Sequence, residues 1–169
     1  MKLLVVSDIH GRYDRLRDLL ELHSDADALI FLGDGLRDLD NACVGDHRIA
    51  VISVRGNCDT MPLPKILATP YEHTQTIEGY KFFMIHGHTR GVKSGLESAI
   101  YAAAEREADV LLFGHTHEPE DKYMPEGGTL KKPLRIFNPG SLGESYDGWG
   151  HFGLIQIRNG QILTSHGKI

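Results

Sequence analysis

The sequence predicts an α/β fold of two sheets packed face to face with helices outside. Three features carry that expectation: short apolar runs alternating with helical patterns in the first third, antiparallel signatures after Pro64, and a late group of strands. Lys2 to Ser7 reads as a buried strand, and Arg12 to His23 as a helix with Leu16, Leu19, Leu20 and Leu22 at helical spacing. Asp27 to Leu32 repeats the strand, Gly33-Asp34-Gly35 turns, and Leu36 to Ala42 offers a short helix. Ile49 to Val54, apolar and β-branched, has the make-up of another buried strand. This βαβαβ run makes a parallel sheet its natural product. From Pro64 to His86 the pattern turns antiparallel, because Tyr71 to Ile77 alternates polar and apolar residues and Gly79 turns the chain into Tyr80 to Ile85. Lys93 to Glu107 reads as an alanine-rich helix leading into the buried strand Asp109 to Phe113. Leu134 to Phe137, Gly150 to Arg158 and Gln161 to Ser165 supply the last strands, with Asn159-Gly160 as a hairpin signal. No repeat, low-complexity segment or linker divides the chain, so one domain over residues 1–169 is expected.

A net charge of -5 and the lack of any Lys/Arg-rich run argue against stable nucleic-acid binding. The longest apolar stretches are far too short to span a bilayer, and the N-terminal MKLLVVSDIHG reads as a strand, not a signal peptide. The expectation is a soluble, cytoplasmic protein without a membrane partner. Cys43 and Cys58 are the only cysteines, too few for a disulfide framework; Cys43 reads as a small buried hydrophobe.

Ten histidines is a high count, and several fall just past apolar runs. Asp8 and His10 follow the first strand, Asp34 the second, Asn57 the third, His86 the hairpin, and His115 and His117 the strand after the alanine-rich helix. Carboxyl ends of strands are where open α/β sheets carry their ligand sites. Residues two apart on an extended chain point to one side, so Asp8 with His10, and His115 with His117, can each present two donors to one site. Each residue alone has an ordinary account as a helix cap, turn former or strand-end imidazole. Together, four imidazoles, two carboxylates and a carboxamide exceed one ion's coordination and suit two ions about 3.5 to 4 Å apart with one shared carboxylate. Gly11, Gly33, Gly56, Gly87 and Gly114 each adjoin a candidate ligand, where a position without a side chain allows close approach.

In order, D-x-H at Asp8 to His10, G-D at Gly33-Asp34, G-N at Gly56-Asn57, H-G-H at His86 to His88 and G-H-T-H at Gly114 to His117 resemble the signature of the calcineurin-like metallophosphoesterases. With N-P-G-S at Asn138 to Ser141 and H-G-H-x-x-G-V-K at His86 to Lys93, the chain is similar to the small YfcE-type phosphodiesterases. The resemblance implies a four-layer αββα sandwich and a dinuclear centre, one metal held by Asp8, His10 and His117, the other by Asn57, His86 and His115, with Asp34 bridging. It also implies phosphodiester hydrolysis, a hydroxide between the ions attacking phosphorus in line. Imidazole-rich ligation argues against magnesium and for Mn²⁺, Zn²⁺, Fe²⁺, Ni²⁺ or Co²⁺, with availability deciding among them and Mn²⁺ the first expected. Asn57, Cys58 and His88 are the expected catalytic residues, and Arg12, Asn57 and His88 the expected substrate contacts, with Arg90 a further candidate. The segment after N-P-G-S, LGESYDG, lacks the Pro-Arg frequent in this group, which weakens any phosphate contact from that loop.

Many members of the family it resembles carry His where this chain has Cys58, and that His is held to assist phosphate binding and protonate the leaving oxygen. Beside two cations a thiol favours its anion, which has no proton to give. Esters whose leaving group departs unaided, such as aryl phosphodiesters, are therefore the expected best substrates, and Cys58→His the change expected to help poorer ones. A packing role and a redox role for Cys58 stay open. The alternative function is a scaffold acting through protein contacts, as in the phosphoesterase-like retromer subunit, and a metal-binding sensor is a third. A homodimer or homotetramer through a strand edge or the Trp149 region is compatible with the sequence.

Overall fold

The computed structural model describes residues 1–42 and 49–169, so Cys43 lies outside the described residues. Ten strands form two five-stranded sheets. The first contains β1 (Lys2–Val6), β2 (Ala28–Phe31), β3 (Ala50–Ser53), β9 (His151–Arg158) and β10 (Gln161–Lys168), in the order β10-β9-β1-β2-β3. The second contains β4 (Glu72–Ile77), β5 (Tyr80–Ile85), β6 (Val110–Leu112), β7 (Pro119–Met124) and β8 (Leu134–Pro139), in the order β4-β5-β6-β8-β7. Strands β1, β2 and β3 are mutually parallel, β9 joins β1 antiparallel, and β10 pairs antiparallel with β9.

Alternation along the strands makes the layers. Leu3 and Val5 of β1 face Phe82 and Met84 of β5 and Phe137 of β8 in a core between the sheets. Leu4 and Val6 point the other way, onto α1 (Tyr13–Leu22) and α2 (Leu36–Asn41). On the far side, Phe83, Leu111 and Phe113 pack against Ala99, Ala102 and Ala103 of α4 (Glu97–Glu105). The layers therefore run helix, sheet, sheet, helix, the expected αββα sandwich. Both strands of the predicted hairpins are present, and their tips adopt left-handed backbone at Glu78-Gly79 and Asn159-Gly160, as tight antiparallel turns require.

Three expectations need correction. Strand β3 is not buried: it closes the first sheet as an edge, with Val51 42% exposed, because β-branched composition does not encode sheet order. The helix expected from Lys93 begins only at Glu97, since Gly95 at φ +148 interrupts it. The stretch after Pro64 opens with a short helix, α3 (Pro64–Ala68), whose proline occupies the first turn where its missing N–H costs nothing. Strand β7, unpredicted, is an edge strand of charged residues with no alternating apolar face. No described helix is long and apolar enough to cross a membrane.

Candidate metal centre

All the donor candidates emerge where β1, β2, β5 and β6 end and the loop after β3 begins. The local backbone is not extended, as the spacing argument assumed. Asp8, His10, Asp34, His115 and His117 all have positive φ, between 46° and 69°. Left-handed backbone costs a non-glycine residue of order 1 kcal/mol and persists only where the surroundings impose it. Five such residues at one end of a sandwich mark a site built against local preference.

The structure brings together two three-donor groups, Asp8 with His10 and His117, and Asp34 with His86 and His115. His115 and His117 thus serve different groups, and so the two-apart pair is split between them. His117 Nε2 lies 3.2 Å from Asp8 Oδ1 and 3.3 Å from His10 Nε2. His86 Nε2 lies 3.3 Å from Asp34 Oδ2, 3.0 Å from Asn57 Oδ1 and 4.0 Å from Asp8 Oδ1, which ties the groups into one cluster.

Supporting contacts aim each donor. The His86 Nδ1–H donates to the Leu32 carbonyl at 2.7 Å and turns Nε2 inward. Asp8 Oδ2 accepts from Ser7 Oγ at 2.6 Å and from the His115 N–H at 3.0 Å. Its other oxygen, Oδ1, is buried with no hydrogen-bond partner, although His117 Nε2 stands 3.2 Å and His10 Nε2 3.7 Å away. A buried, unpartnered carboxylate oxygen facing imidazole nitrogens is the arrangement a cation satisfies. Nitrogen and carboxylate donors in this number suit first-row divalent ions, so the residues fit a metal.

Glycines make the close approaches. A Cβ on Gly56 would stand 2.0 Å from Asp34 Oδ1, and one on Gly114 2.0 Å from Ser7 Oγ. Gly33 is bounded by Gly56 N at 2.6 Å and His86 Nδ1 at 2.9 Å. Gly11 meets nothing within 4 Å, so its use is the positive φ of +85°.

Charge within the cluster follows from these contacts. The contact with the Asp8 carboxylate raises His10, outweighing burial. Burial alone would lower His86, but the contact with Asp34 and the charges of Asp8 and Asp34 raise it. Burial opposes ionisation of Asp8 and Asp34, yet the imidazoles hold both below the usual carboxylate range. Burial, with His86 and Lys93 nearby, lowers His115 to about 4. The metal-free cluster is therefore a proton store at His10 and His86 with His115 already free. Metal uptake should expel protons, more of them near pH 6.5 than at a pH above the raised values of His10 and His86, where both imidazoles are already neutral. Zinc titration in weak buffer with a pH electrode checks this; equal release at both pH values would contradict it.

Other predicted residues divide. Asn57 joins the cluster through Oδ1, and His88 stands beside it, its ring 5.3 Å from His86 with Nδ1 buried and unpartnered. Burial lowers His88, and His86 adds to the effect. The exposed Cys58 belongs to a third group with His10 and Asp34. Without metal, burial and Asp34 push its thiol up to about 11, so the expected thiolate requires the cations. Arg12 is not brought to the cluster: its guanidinium pairs with Asp14 at 3.1 Å in solvent. Arg90 is held by Glu72 at 2.7 Å, which also takes Arg106 at 3.0 Å.

Asp59 was missed from sequence, and N-P-G-S reads there as a motif without its supporting role. Asp59, 5% exposed, accepts backbone N–H bonds from Asp34, Gly35, Leu36 and Gly56, all between 2.8 and 2.9 Å, and so clamps the two turns carrying Asp34 and Asn57. Asn138 donates to Thr116 Oγ1 at 2.9 Å and Ser141 Oγ to the Asp8 carbonyl at 2.9 Å, which docks N-P-G-S under both histidine loops. The signal for Asp59 was its place two residues after Asn57.

Beside His117 opens a cleft of about 450 Å³, lined also by Lys93, Thr116, Glu144, Ser145 and Tyr146. A larger groove of about 950 Å³ shares Lys93 and Thr116 but holds no donor candidate, so the smaller cleft is the one placed for chemistry at the cluster.

Comparison with known proteins decides the family. Residues 1–160 match the model for the calcineurin-like phosphoesterase superfamily domain. The chain belongs to that superfamily. It is 32% identical to phosphodiesterase YfcE of Escherichia coli strain K12 over 161 residues, which cover 84% of this chain and 79% of that one. In structure it is similar to a novel archaeal phosphodiesterase, with TM-score 0.75, 22% identity and all of both chains covered. It is also similar to Vps29 of Chaetomium thermophilum, with TM-score 0.73, 19% identity, and 100% of this chain and 95% of that one covered. At those identities the two structures speak for the fold alone. Superfamily membership accounts for a buried His/Asp cluster at these strand ends.

Proposed function

We propose that the protein is a metal-dependent phosphodiesterase working through a dinuclear centre in one domain, residues 1–169. The observation that carries this is the pair of three-donor groups, each sufficient for an ion and joined through Asp8, Asp34 and His86. Asp8, His10 and His117 would hold one ion, Asn57, His86 and His115 the other, and Asp34 both. When bound, the ions supply Lewis acidity to the phosphoryl oxygens and an activated water. Manganese is the metal to assay first, since oxygen donors from Asp8, Asp34 and Asn57 suit a hard ion.

The chain's own residues do the rest. His10 and His86 give up their protons as the centre fills, and the Leu32 carbonyl keeps His86 in the tautomer that leaves Nε2 free. His88, neutral near pH 7, offers a hydrogen bond to a phosphoryl oxygen from beside His86 and His115, and Tyr71 steadies its ring edge-on at 5.5 Å. Arg12 would reach substrate only by leaving Asp14. Beside the cations Cys58 would be a thiolate with no proton to give the leaving oxygen, so aryl diesters, which need none, are the proposed substrates. The ester group would lie in the cleft bounded by His117, Lys93 and Glu144.

The protein loaded with Mn²⁺ should hydrolyse bis(p-nitrophenyl) phosphate, lose that activity on chelation and regain it on reloading. Inactive protein that still takes up metal would favour the scaffold or sensor reading, to which the likeness to Vps29 lends only a fold.

A further inference from the structure

Cys58 lies where the two donor groups meet. Its sulfur and the donor atoms of His10 and Asp34 all fall within 4.8 Å of one another, His10 being shared with one group and Asp34 with the other. An imidazole and a thiolate on one zinc ion stand at most about 4.4 Å apart, the sum of bonds of about 2.1 and about 2.3 Å. At the tetrahedral angle zinc prefers, that separation is about 3.6 Å, so closing these donors on one ion takes movements of up to about 1 Å. Two contacts hold the sulfur in place: the Cys58 N–H donates to Asp34 Oδ1 at 2.7 Å, and Asn57 Nδ2 donates to Sγ at 3.2 Å. The second contact also offsets charge on a sulfur that has lost its proton. Fully buried Asp8 brings its unpartnered Oδ1 to 3.7 Å from Nε2 of His10, the imidazole that its group shares with that of Cys58.

We propose that Cys58 is itself a metal ligand, its thiolate completing the coordination of the ion shared by His10 and Asp34. This rests on the dinuclear reading above. On binding, the S–H bond breaks, the proton passes to solvent, and a sulfur lone pair forms the S–metal bond without change of oxidation state. A soft donor at this position favours zinc, cobalt and cadmium over manganese there. It also explains why the centre keeps no acid for the leaving group: the sulfur's proton is lost when the metal arrives.

Cobalt(II) loading reads this directly. The wild-type protein and Cys43→Ser should show a sulfur-to-cobalt charge-transfer band in the near ultraviolet, and Cys58→Ser should lose it while keeping the visible d–d bands. Competition titration should show Cys58→Ser losing on the order of 10-fold or more in cadmium affinity relative to manganese. Should Cys58→Ser fail to fold, Cys43→Ser supplies the second measurement, alkylation of Cys58 slowing at least tenfold, roughly, when cobalt is bound. Visible d–d bands without the charge-transfer band in wild type, or a band that survives Cys58→Ser, would overturn the inference and leave the dinuclear centre standing. Absence of any cobalt spectrum would overturn both.

Discussion

Asp34→Ala is expected to lower the metal-dependent hydrolysis of bis(p-nitrophenyl) phosphate by about 10³-fold or more. The carboxylate has Oδ2 3.3 Å from His86 Nε2 and also lies within 4.8 Å of the donor nitrogen of His10, a member of the other group. Removing it should separate the ions or cost one of them, and a metal's charge stabilisation is worth several kcal/mol at the transition state. At about 1.4 kcal/mol per tenfold, that loss is the predicted factor. Metal content by elemental analysis should fall from about two ions per chain toward one or none. Gly56→Ala should reproduce the defect without touching a donor, because its Cβ would claim the space 2.0 Å from Asp34 Oδ1. A variant of either kind with full metal content and ordinary turnover would show that the carboxylate does not bridge.

The same substitution has a signature in the metal-free protein. His86 is raised by Asp34 and Asp8 against its burial. A group raised in the folded state contributes stability that is fully present below its unfolded value of 6.5 and lost as pH rises through the folded one. Without Asp34 that alkaline loss should shrink, since less of the upward shift remains. Asp8 and Asp34 act oppositely: both are lowered, so their contribution is present above the usual value of 3.8 and lost as pH falls. Thermal melts of chelated protein across pH separate the two.

Much of this centre was legible because its parts are local. Each candidate donor follows an apolar run, and a strand's carboxyl end can be read without knowing its neighbours, which is why Asp8, Asp34, Asn57, His86 and His115, which the structure brings together, could be named as candidates from sequence. What lay beyond reach depends on juxtaposition. That β3 ends as an exposed edge is a fact of sheet order, which residue type does not carry. The left-handed backbone of Asp8, His10 and His117 is imposed by loops packed against them, and no local preference announces it. Arg12 looked free to meet phosphate because its partner, Asp14, is a rotamer choice made in space. The strands of the core were clearer than any of these, since alternation alone sorts Leu3 and Val5 from Leu4 and Val6.

Asp59 is the sharpest case, and its loss should be the most damaging to stability. It stands two residues after Asn57, in a stretch whose Gly, Asn and Asp are ordinary turn formers, so its local reading is dull. In space its two oxygens take four backbone N–H groups from turns that start 22 residues apart, Asp34 and Gly56. Each buried donor left unmet costs about 1–3 kcal/mol, and water entering the gap can recover part of that. Asp59→Ala should therefore lose about 3 kcal/mol or more, a fall in Tm of about 10 °C for a chain of this size. Asp59→Asn, which keeps the shape but turns an amide NH₂ toward N–H donors, should lose nearly as much, whereas a mere packing role would spare it. Because the clamp aims Asp34 and Asn57, metal affinity should also fall about 10 to 100-fold in the variant that still folds. An Asn variant with wild-type Tm and metal affinity would mean that the two turns hold their own shape, and the carboxylate only fills the space between them.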